Sequence, residues 1–305
     1  MSIAFSRDPQ PVPRLVTENR RIQTDIPAPG TREILERLDS VESRSMHGQL
    51  PLVWDRAEDF SVFDLAGNRF LDFTSTIFVA NVGHSNPRVV AAVRDALERP
   101  LQSCYAYGCE LRARYLERLV SFAGAPFDKA FLLSAGTEAT EAAFKLTRMY
   151  GQRQGKRRCG LICIDGNWHG RTLGAQLLSS NHLQSGWIGY KDPDIHHIPF
   201  PYPWALDGRS GKTFLEDSLR NLETSGVDLA KDVSGFMLET FQGWGAVFYP
   251  EDYVKAIEGL CRRHDILLTF DEMQSGFGRT GRTFGYQHYG VTPDLVCCGK
   301  GMGGG

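Results

Sequence analysis

Residues 266–300 read ILLTFDEMQSGFGRTGRTFGYQHYGVTPDLVCCGK. Two short apolar runs stand out, Ile266 to Phe270 and Leu295 to Cys298, and each ends in residues that a buried strand does not need: Asp271 and Glu272 after the first, Gly299 and Lys300 after the second. The runs are too short for helices and are bounded by turn-forming residues, so they read as buried strands. The same alternation continues upstream. Amphipathic stretches at 87–99, 110–122, 137–152, 213–224 and 250–264 separate or flank the apolar runs Ala130 to Leu133, Leu161 to Ile164 and Gly235 to Leu238. Such alternation predicts an α/β fold with a mostly parallel central sheet flanked by helices. In open sheets of this kind a ligand sits beyond the carboxyl ends of the strands, and that is where the charged residues of this sequence fall.

Nearer the N-terminus, from Pro51 to Phe73, apolar residues alternate on either side of Ala66-Gly67-Asn68, the pattern of a small antiparallel sheet with a tight turn. Residues 1–30 are rich in Pro, Arg and polar side chains, which predicts an arm ordered only against something else, a second subunit for example. The expected organisation is an arm over 1–30, the N-terminal part of a small α+β lobe over 31–85 and a large α/β domain over 86–305. The sequence reaches Gly305 inside a glycine cluster directly after a strand-like run, so the large domain is expected to be incomplete at that end.

Composition narrows the function. The 34 Lys and Arg are balanced by 36 Asp and Glu and are scattered, leaving no electrostatic footprint for nucleic acid or for an anionic membrane. No run approaches the roughly 20 apolar residues of a membrane helix, and the N-terminus has no apolar leader core. The seven cysteines form no CxxC pair and no zinc-spaced cluster with histidine, so they read as reduced thiols of a cytoplasmic protein without a structural metal. A small molecule is the expected partner.

Four segments carry groups suited to chemistry. Ser134-Ala135-Gly136-Thr137-Glu138-Ala139 lies between an apolar run and a helix, where converging backbone N–H groups suit a phosphate. Asn167-Trp168-His169-Gly170-Arg171-Thr172 offers an aromatic plate, an imidazole and a guanidinium. Asp271 can serve a protonated ring nitrogen, a metal or a helix cap. Lys300 is unusual among glycines at a strand end, because lysine favours open helix faces, and a desolvated neutral amine there can attack an aldehyde. Each has an ordinary reading too: a turn, a core Trp, a structural His, a cap, a loop lysine.

Taken together and in order, the segments resemble the class III, or ω-amino-acid, aminotransferases of pyridoxal-phosphate fold type I, over roughly residues 50–305. The motifs are Gly136-Thr137-Glu138-Ala139, Trp168 to Thr172, Glu239-x-x-Gln242-Gly243, Asp271 to Gly281 and Pro293 to Lys300. The resemblance implies pyridoxal 5'-phosphate as cofactor, an amino donor and an oxo acceptor as substrates, and a homodimer. Lys300 matches the lysine of the internal aldimine and Asp271 the partner of the pyridine nitrogen. Gln274 matches the glutamine near the phenolic oxygen, Trp168 the plate over the ring, and Gly136 with Thr137 the phosphate cradle. Arg171 matches a substrate-carboxylate anchor, while Glu239, Gln242 and His169 match supporting positions.

Three departures bear on substrate. Trp244 stands where the ornithine, acetylornithine and 4-aminobutyrate branches carry a glutamate. Thr240 replaces a usual proline, and Ile77 occupies a pocket position that is polar in the ornithine branch. Thr240 and Ile77 point to a less polar or differently shaped pocket. The family's C-terminal small domain, with a threonine and an arginine of the site, is absent from these residues. Two rivals share the scaffold: an aminomutase, racemase or decarboxylase, and a catalytically incomplete fragment. A nucleotide-binding α/β protein is disfavoured, since there is neither a GxGxxG at a first strand nor a Walker sequence.

Overall fold

A computed structural model describes residues 5–44, 49–99, 101 and 103–304, without the side chains of His182 and Leu183. The chain divides into two compact units, the first comprising the described residues before Ser103 together with Gly304, the second Ser103–Gly303.

The first unit holds a five-stranded antiparallel sheet in the order β1-β2-β5-β4-β3, made of β1 (Leu15–Val16), β2 (Arg21–Ile22), β3 (Trp54–Glu58), β4 (Ser61–Asp64) and β5 (Arg69–Leu71). The expected tight turn joins β4 to β5, where Asp64 Oδ1 accepts from the N–H groups of Ala66 (3.0 Å) and Asn68 (2.9 Å). Asn68 is buried, and its side-chain oxygen accepts from Gln23 N (2.7 Å) and Thr24 N (3.2 Å). Those bonds, with the β2–β5 pairing, give residues 15–24 a place in the lobe's own sheet. That differs from the expected arm ordered only against something else. Helices α1 (Thr31–Val41) and α2 (Pro87–Leu97) complete the unit, and Asn86 caps α2 by accepting from Arg88 N at 3.0 Å. The boundary therefore falls after α2 rather than at 85/86. Backbone bonds exchanged by Asp59 and His84 (2.9 and 2.7 Å) tie the segment that leads into α2 to the β3–β4 hairpin.

The second unit is built on a five-stranded parallel sheet of β6 (Gly160–Ile164), β7 (Ile195–Ile198), β8 (Val233–Glu239), β11 (Leu267–Asp271) and β12 (Leu295–Cys297), in the order β12-β11-β8-β6-β7. The hairpin of β9 (Phe241–Gln242) and β10 (Val247–Phe248) follows β8. Every residue of β6 and β8 is buried, as strands covered on both faces require. Ile162, Ile164, Phe236, Leu238, Leu268 and Phe270 face one core with α6 (Gly211–Thr224) and α7 (Glu251–His264). Leu161, Cys163 and Met237 face the other with α4 (Gly136–Arg153) and α5 (Leu173–Leu178).

Local chemistry explains the helices. In α7 the buried residues Tyr253, Val254, Ile257, Leu260 and Cys261 recur at helical spacing, Glu251 and Asp252 sit in the first turn, and Arg262, Arg263 and His264 in the last, matching the helix dipole. Helix α4 instead turns a face of Thr140, Ala143, Thr147 and Gly151 to the sheet. It lies so close that a Cβ on Gly235 would stand 2.3 Å from Thr147 Cγ2.

Two expectations fail. Ala130 to Leu133 is not a strand: it has no strand partner among the described residues, and Phe131 is 73% exposed. An apolar run becomes a strand only where a neighbour takes its N–H and C=O groups, and none among the described residues does here. A cavity of about 540 Å³, lined in part by Phe131, Leu132, Leu133, Val296 and Cys298, opens between this segment and β12, the edge strand. Conversely, β7 (Ile195-His196-His197-Ile198) escapes the sequence pattern because its two central histidines interrupt the apolar signal. Among the described residues no helix is long and apolar enough to cross a membrane.

Candidate active site

Parallel pairing aligns strand ends, and with them the chemistry. Glu239 closes β8 and Asp271 closes β11, paired with each other in register. Asp271 also pairs with Cys297 of β12, so Gly299 and Lys300 follow directly beyond that strand.

Asp271 is buried. Its Oδ2 accepts from His169 Nδ1 at 2.8 Å and its Oδ1 from Met273 N at 3.1 Å. Behind His169, Tyr249 donates its hydroxyl to Asn167 Oδ1 (3.3 Å), and Asn167 Nδ2 donates to His169 Nε2 (3.3 Å). That order makes Nε2 the acceptor and leaves the proton on Nδ1, facing the carboxylate. A chain of hydrogen bonds thus holds one buried acid. At the second acid of the pair, burial first, then the charge of Asp271, pushes the Glu239 carboxyl well above the usual carboxylate range. Its Oε2 accepts from Trp168 N (3.3 Å) and Gly243 N (3.4 Å).

Glu272 fastens the glycine-rich loop. It accepts from Thr240 Oγ1 (2.5 Å), Ser275 Oγ (2.7 Å), Gly285 N (2.8 Å) and Tyr286 N (2.8 Å). Burial still raises its carboxyl above the usual value against the pull of those donors. Thr240, read from the sequence as a residue that alters the pocket, is fully buried and uses its hydroxyl on this carboxylate.

Lys300 opens a one-turn 3₁₀ segment, Lys300–Gly303, with φ of 45°. Its amine makes no hydrogen bond or ion pair among the described residues. At the start of α4, Glu138 reaches back to Ser134 N (2.9 Å) and Ala135 N (3.1 Å), while the N–H groups of Gly136 and Thr137 have no acceptor among the described residues. Met273 packs between two glycines here, its sulfur 2.9 Å from where a Cβ would stand on Gly136 and 2.7 Å from one on Gly299. At Gly170 (φ 143°) a Cβ would stand 2.2 Å from Thr137 Oγ1, so only glycine lets Thr137 meet Thr172, hydroxyl to hydroxyl at 2.7 Å. Glu141 adds bonds from Thr172 Oγ1, Gly174 N and Ala175 N, joining the 136–141 and 168–175 segments into one network.

Trp168 meets Trp244 edge to face at 5.5 Å, and the Arg171 guanidinium carbon lies 5.3 Å from the Trp168 ring centroid. Arg171 is exposed and has no ion pair among the described residues. Trp244, on the β9–β10 turn, is 60% exposed. Gln242 donates to the Tyr202 hydroxyl and so braces that hairpin. Gln274 Oε1 is buried without a hydrogen-bond partner among the described residues. Ile77, the remaining sequence candidate, belongs to the first unit, where it is exposed on the turn Ser75–Phe78. The 540 Å³ cavity reaches Lys300, Gly299, Gly136 and Ser134 but is not lined by Asp271 or Trp168. Among the described residues no group of three or more His, Cys, Asp or Glu is placed to hold a metal. Sequence reading missed Tyr249, Glu141 and Met273. The first two have no local signal, and Met273 could have been found only by its place between Asp271 and Gln274.

Residues 43–305 match the family model for class-III aminotransferases. The chain belongs to the class-III aminotransferase family. It is 31% identical over 262 residues to an acetylornithine aminotransferase of Methanocaldococcus jannaschii, a match covering 85% of this chain and 61% of that protein. It is also 31% identical over 280 residues to a leucine/methionine racemase of Thermococcus litoralis, covering 90% and 62%. The crystal structure of taurine:2-oxoglutarate aminotransferase from Bifidobacterium kashiwanohense, in complex with pyridoxal phosphate and glutamate, superimposes with a TM-score of 0.78 at 26% identity, covering 89% of this chain and 62% of that one. The chain thus spans less than two thirds of the length of these relatives.

Class-III aminotransferases use pyridoxal 5'-phosphate, and the residues present fit such a group. The orphaned amide oxygen of Gln274 marks a polar side chain awaiting a partner, and an amide oxygen and nitrogen are interchangeable in assignment. The uncommitted Lys300 amine and the open N–H groups at the start of α4 suit an aldehyde and a phosphate.

Proposed function

We propose that the protein is a pyridoxal-phosphate-dependent aminotransferase, moving an amino group from an amino acid or ω-amine donor to a keto acid or aldehyde acceptor. One observation carries the reading: in a class-III chain, an amine with no hydrogen bond or ion pair among the described residues follows one strand, while the adjacent strand ends in an acid held by a buried histidine. When bound, the cofactor supplies an electron-accepting ring that weakens the bonds at the substrate carbon bearing the amine. Lys300 Nζ would be the amine that holds its aldehyde group and, when free, the group that takes up and returns a proton at the substrate carbon. Asp271 would offer its carboxylate to the ring nitrogen, with His169 orienting it. The Gly136 and Thr137 N–H groups would hold the phosphate, Trp168 would cover the ring, and Gln274 would turn its amide to the ring oxygen. Arg171 binds a substrate carboxylate, with Trp244 forming an apolar wall beside it in place of a charged one.

The racemase relative supports a second reading on the same residues, in which the proton returns to the carbon it left. Purified protein scanned with pyridoxal phosphate should show a visible absorbance band, absent in Lys300→Ala and bleached by a productive amino donor. An oxo product formed in step with that bleaching identifies the aminotransferase; inversion of an amino acid without one identifies the racemase. A spectrum that cofactor leaves unchanged overturns both. A homodimer is the expected assembly on the resemblance alone, and sedimentation returning only a 34.1 kDa species overturns it.

A further inference from the structure

Cys104 and Cys109 flank an exposed loop that leads into α3 (Glu110–Ala123), and their sulfurs stand 3.5 Å apart. Neither takes part in the hydrogen bonding of the site described above. The loop is shaped by its own chain: the Arg112 guanidinium donates to the carbonyl of Tyr105 at 2.7 Å and to that of Tyr107. Both cysteines are only half-buried, so a small oxidant reaches them. From 3.5 Å the sulfurs must close by roughly 1.5 Å to reach a disulfide bond length of about 2.05 Å.

The two thiols are not equivalent. Cys109 is the N-cap of a 14-residue helix, with the Arg112 N–H of the first turn and then the Cys104 thiol drawing it below the ordinary thiol value. The charge of the Arg112 guanidinium acts in the same direction. Cys104 is raised instead, chiefly by its contact with Cys109. The other cysteines contrast with this pair. Cys159, Cys163, Cys261 and Cys297 are buried, and burial pushes the half-buried Cys298 thiol up to about 11.

We propose that Cys104 and Cys109 form a peroxide-oxidisable dithiol, a reversible modification site in which Cys109 attacks and Cys104 resolves. The Cys109 thiolate attacks one oxygen of a hydroperoxide. The O–O bond breaks, Cys109 becomes a sulfenic acid, and the second oxygen leaves as hydroxide and takes up a proton. Cys104 sulfur then attacks Cys109 sulfur, the S–S bond forms, the S–O bond breaks, and water departs with the Cys104 proton. Two thiols lose two electrons and two protons, and one hydrogen peroxide becomes two waters. The ring so closed staples the segment carrying the exposed Tyr105 and Tyr107. A reducing dithiol restores both thiols.

The test uses the full chain at neutral pH, treated with hydrogen peroxide at one equivalent, blocked with N-ethylmaleimide and mapped by mass spectrometry. Two of the seven thiols should disappear into a Cys104–Cys109 bond that dithiothreitol reverses. In Cys104→Ser, dimedone should trap a sulfenic acid on Cys109, whereas Cys109→Ser should react at least about tenfold more slowly than the parent. Untreated protein gives a measure free of any variant: iodoacetamide should label Cys109 ahead of the other six. Oxidation mapping to other cysteines, a double Ser variant that consumes peroxide as fast as the parent, or bonds formed only between molecules would each overturn the proposal.

Discussion

Replacing Glu239 by Gln tests the electrostatics of the paired acids most directly. Glu239 is almost wholly buried, and burial together with the charge of Asp271 raises its carboxyl well above the ordinary value. In the unfolded chain the same carboxyl titrates near about 4.3. Above that value the unfolded chain has lost a proton that the folded protein keeps, so unfolding becomes easier as pH rises. The stabilisation is complete below the unfolded value and is lost on the way up to the folded one, at up to about 1.4 kcal/mol per pH unit. Gln has the shape of the protonated acid, retains an oxygen to accept from Trp168 N and Gly243 N, and cannot ionise. The stability of Glu239→Gln relative to the parent should therefore climb as pH rises above the unfolded value, by up to about 1.4 kcal/mol per pH unit until the folded carboxyl ionises. Urea unfolding followed by tryptophan fluorescence at several pH values measures this. Glu272 and every other titrating group are common to both proteins and cancel on subtraction. Parallel stability curves for the two proteins above the unfolded value would refute a raised Glu239 carboxyl.

Three further outcomes follow from the geometry. His169→Phe removes the donor to a buried Asp271 oxygen, so thermal or urea unfolding should register a loss of about 1–3 kcal/mol, with weaker cofactor retention on dialysis; unchanged stability and retention would refute the pair. Gly235→Ala drives a methyl into Thr147 Cγ2 and should cost about 1–3 kcal/mol as α4 is forced off the sheet, whereas an unchanged unfolding midpoint would contradict that close approach. Arg171→Ala should raise KM for carboxylate-bearing donors about tenfold or more and leave simple amines nearly unchanged, since a charged hydrogen bond contributes about 1.5–3 kcal/mol; equal effects on both donor classes would remove Arg171 from the carboxylate site.

Much of the parallel sheet and most of the site's residue types are legible in the linear chain, because each is a local signal. An apolar run such as Leu161 to Ile164 or Leu267 to Phe270 declares a buried strand, and the 3.6-residue spacing of Tyr253, Ile257 and Leu260 declares α7. The order of the motifs from Gly136 to Lys300 was sufficient to anticipate the family. Tertiary structure alone decided which side chains meet. His169 and Asp271 are 102 residues apart, Tyr150 and Asp265 farther still, and no local pattern predicts such contacts. The same reason explains the failures. Ala130 to Leu133 has a strand's composition but no neighbour to bond with, and the N-terminal segment joined a sheet by pairing with β5. Hydrogen-bond partnership and burial are properties of pairs and of surroundings, so the raised carboxyl of Glu239, the burial of the Gln274 oxygen and the contact of Cys104 with Cys109 appear only once the chain is folded.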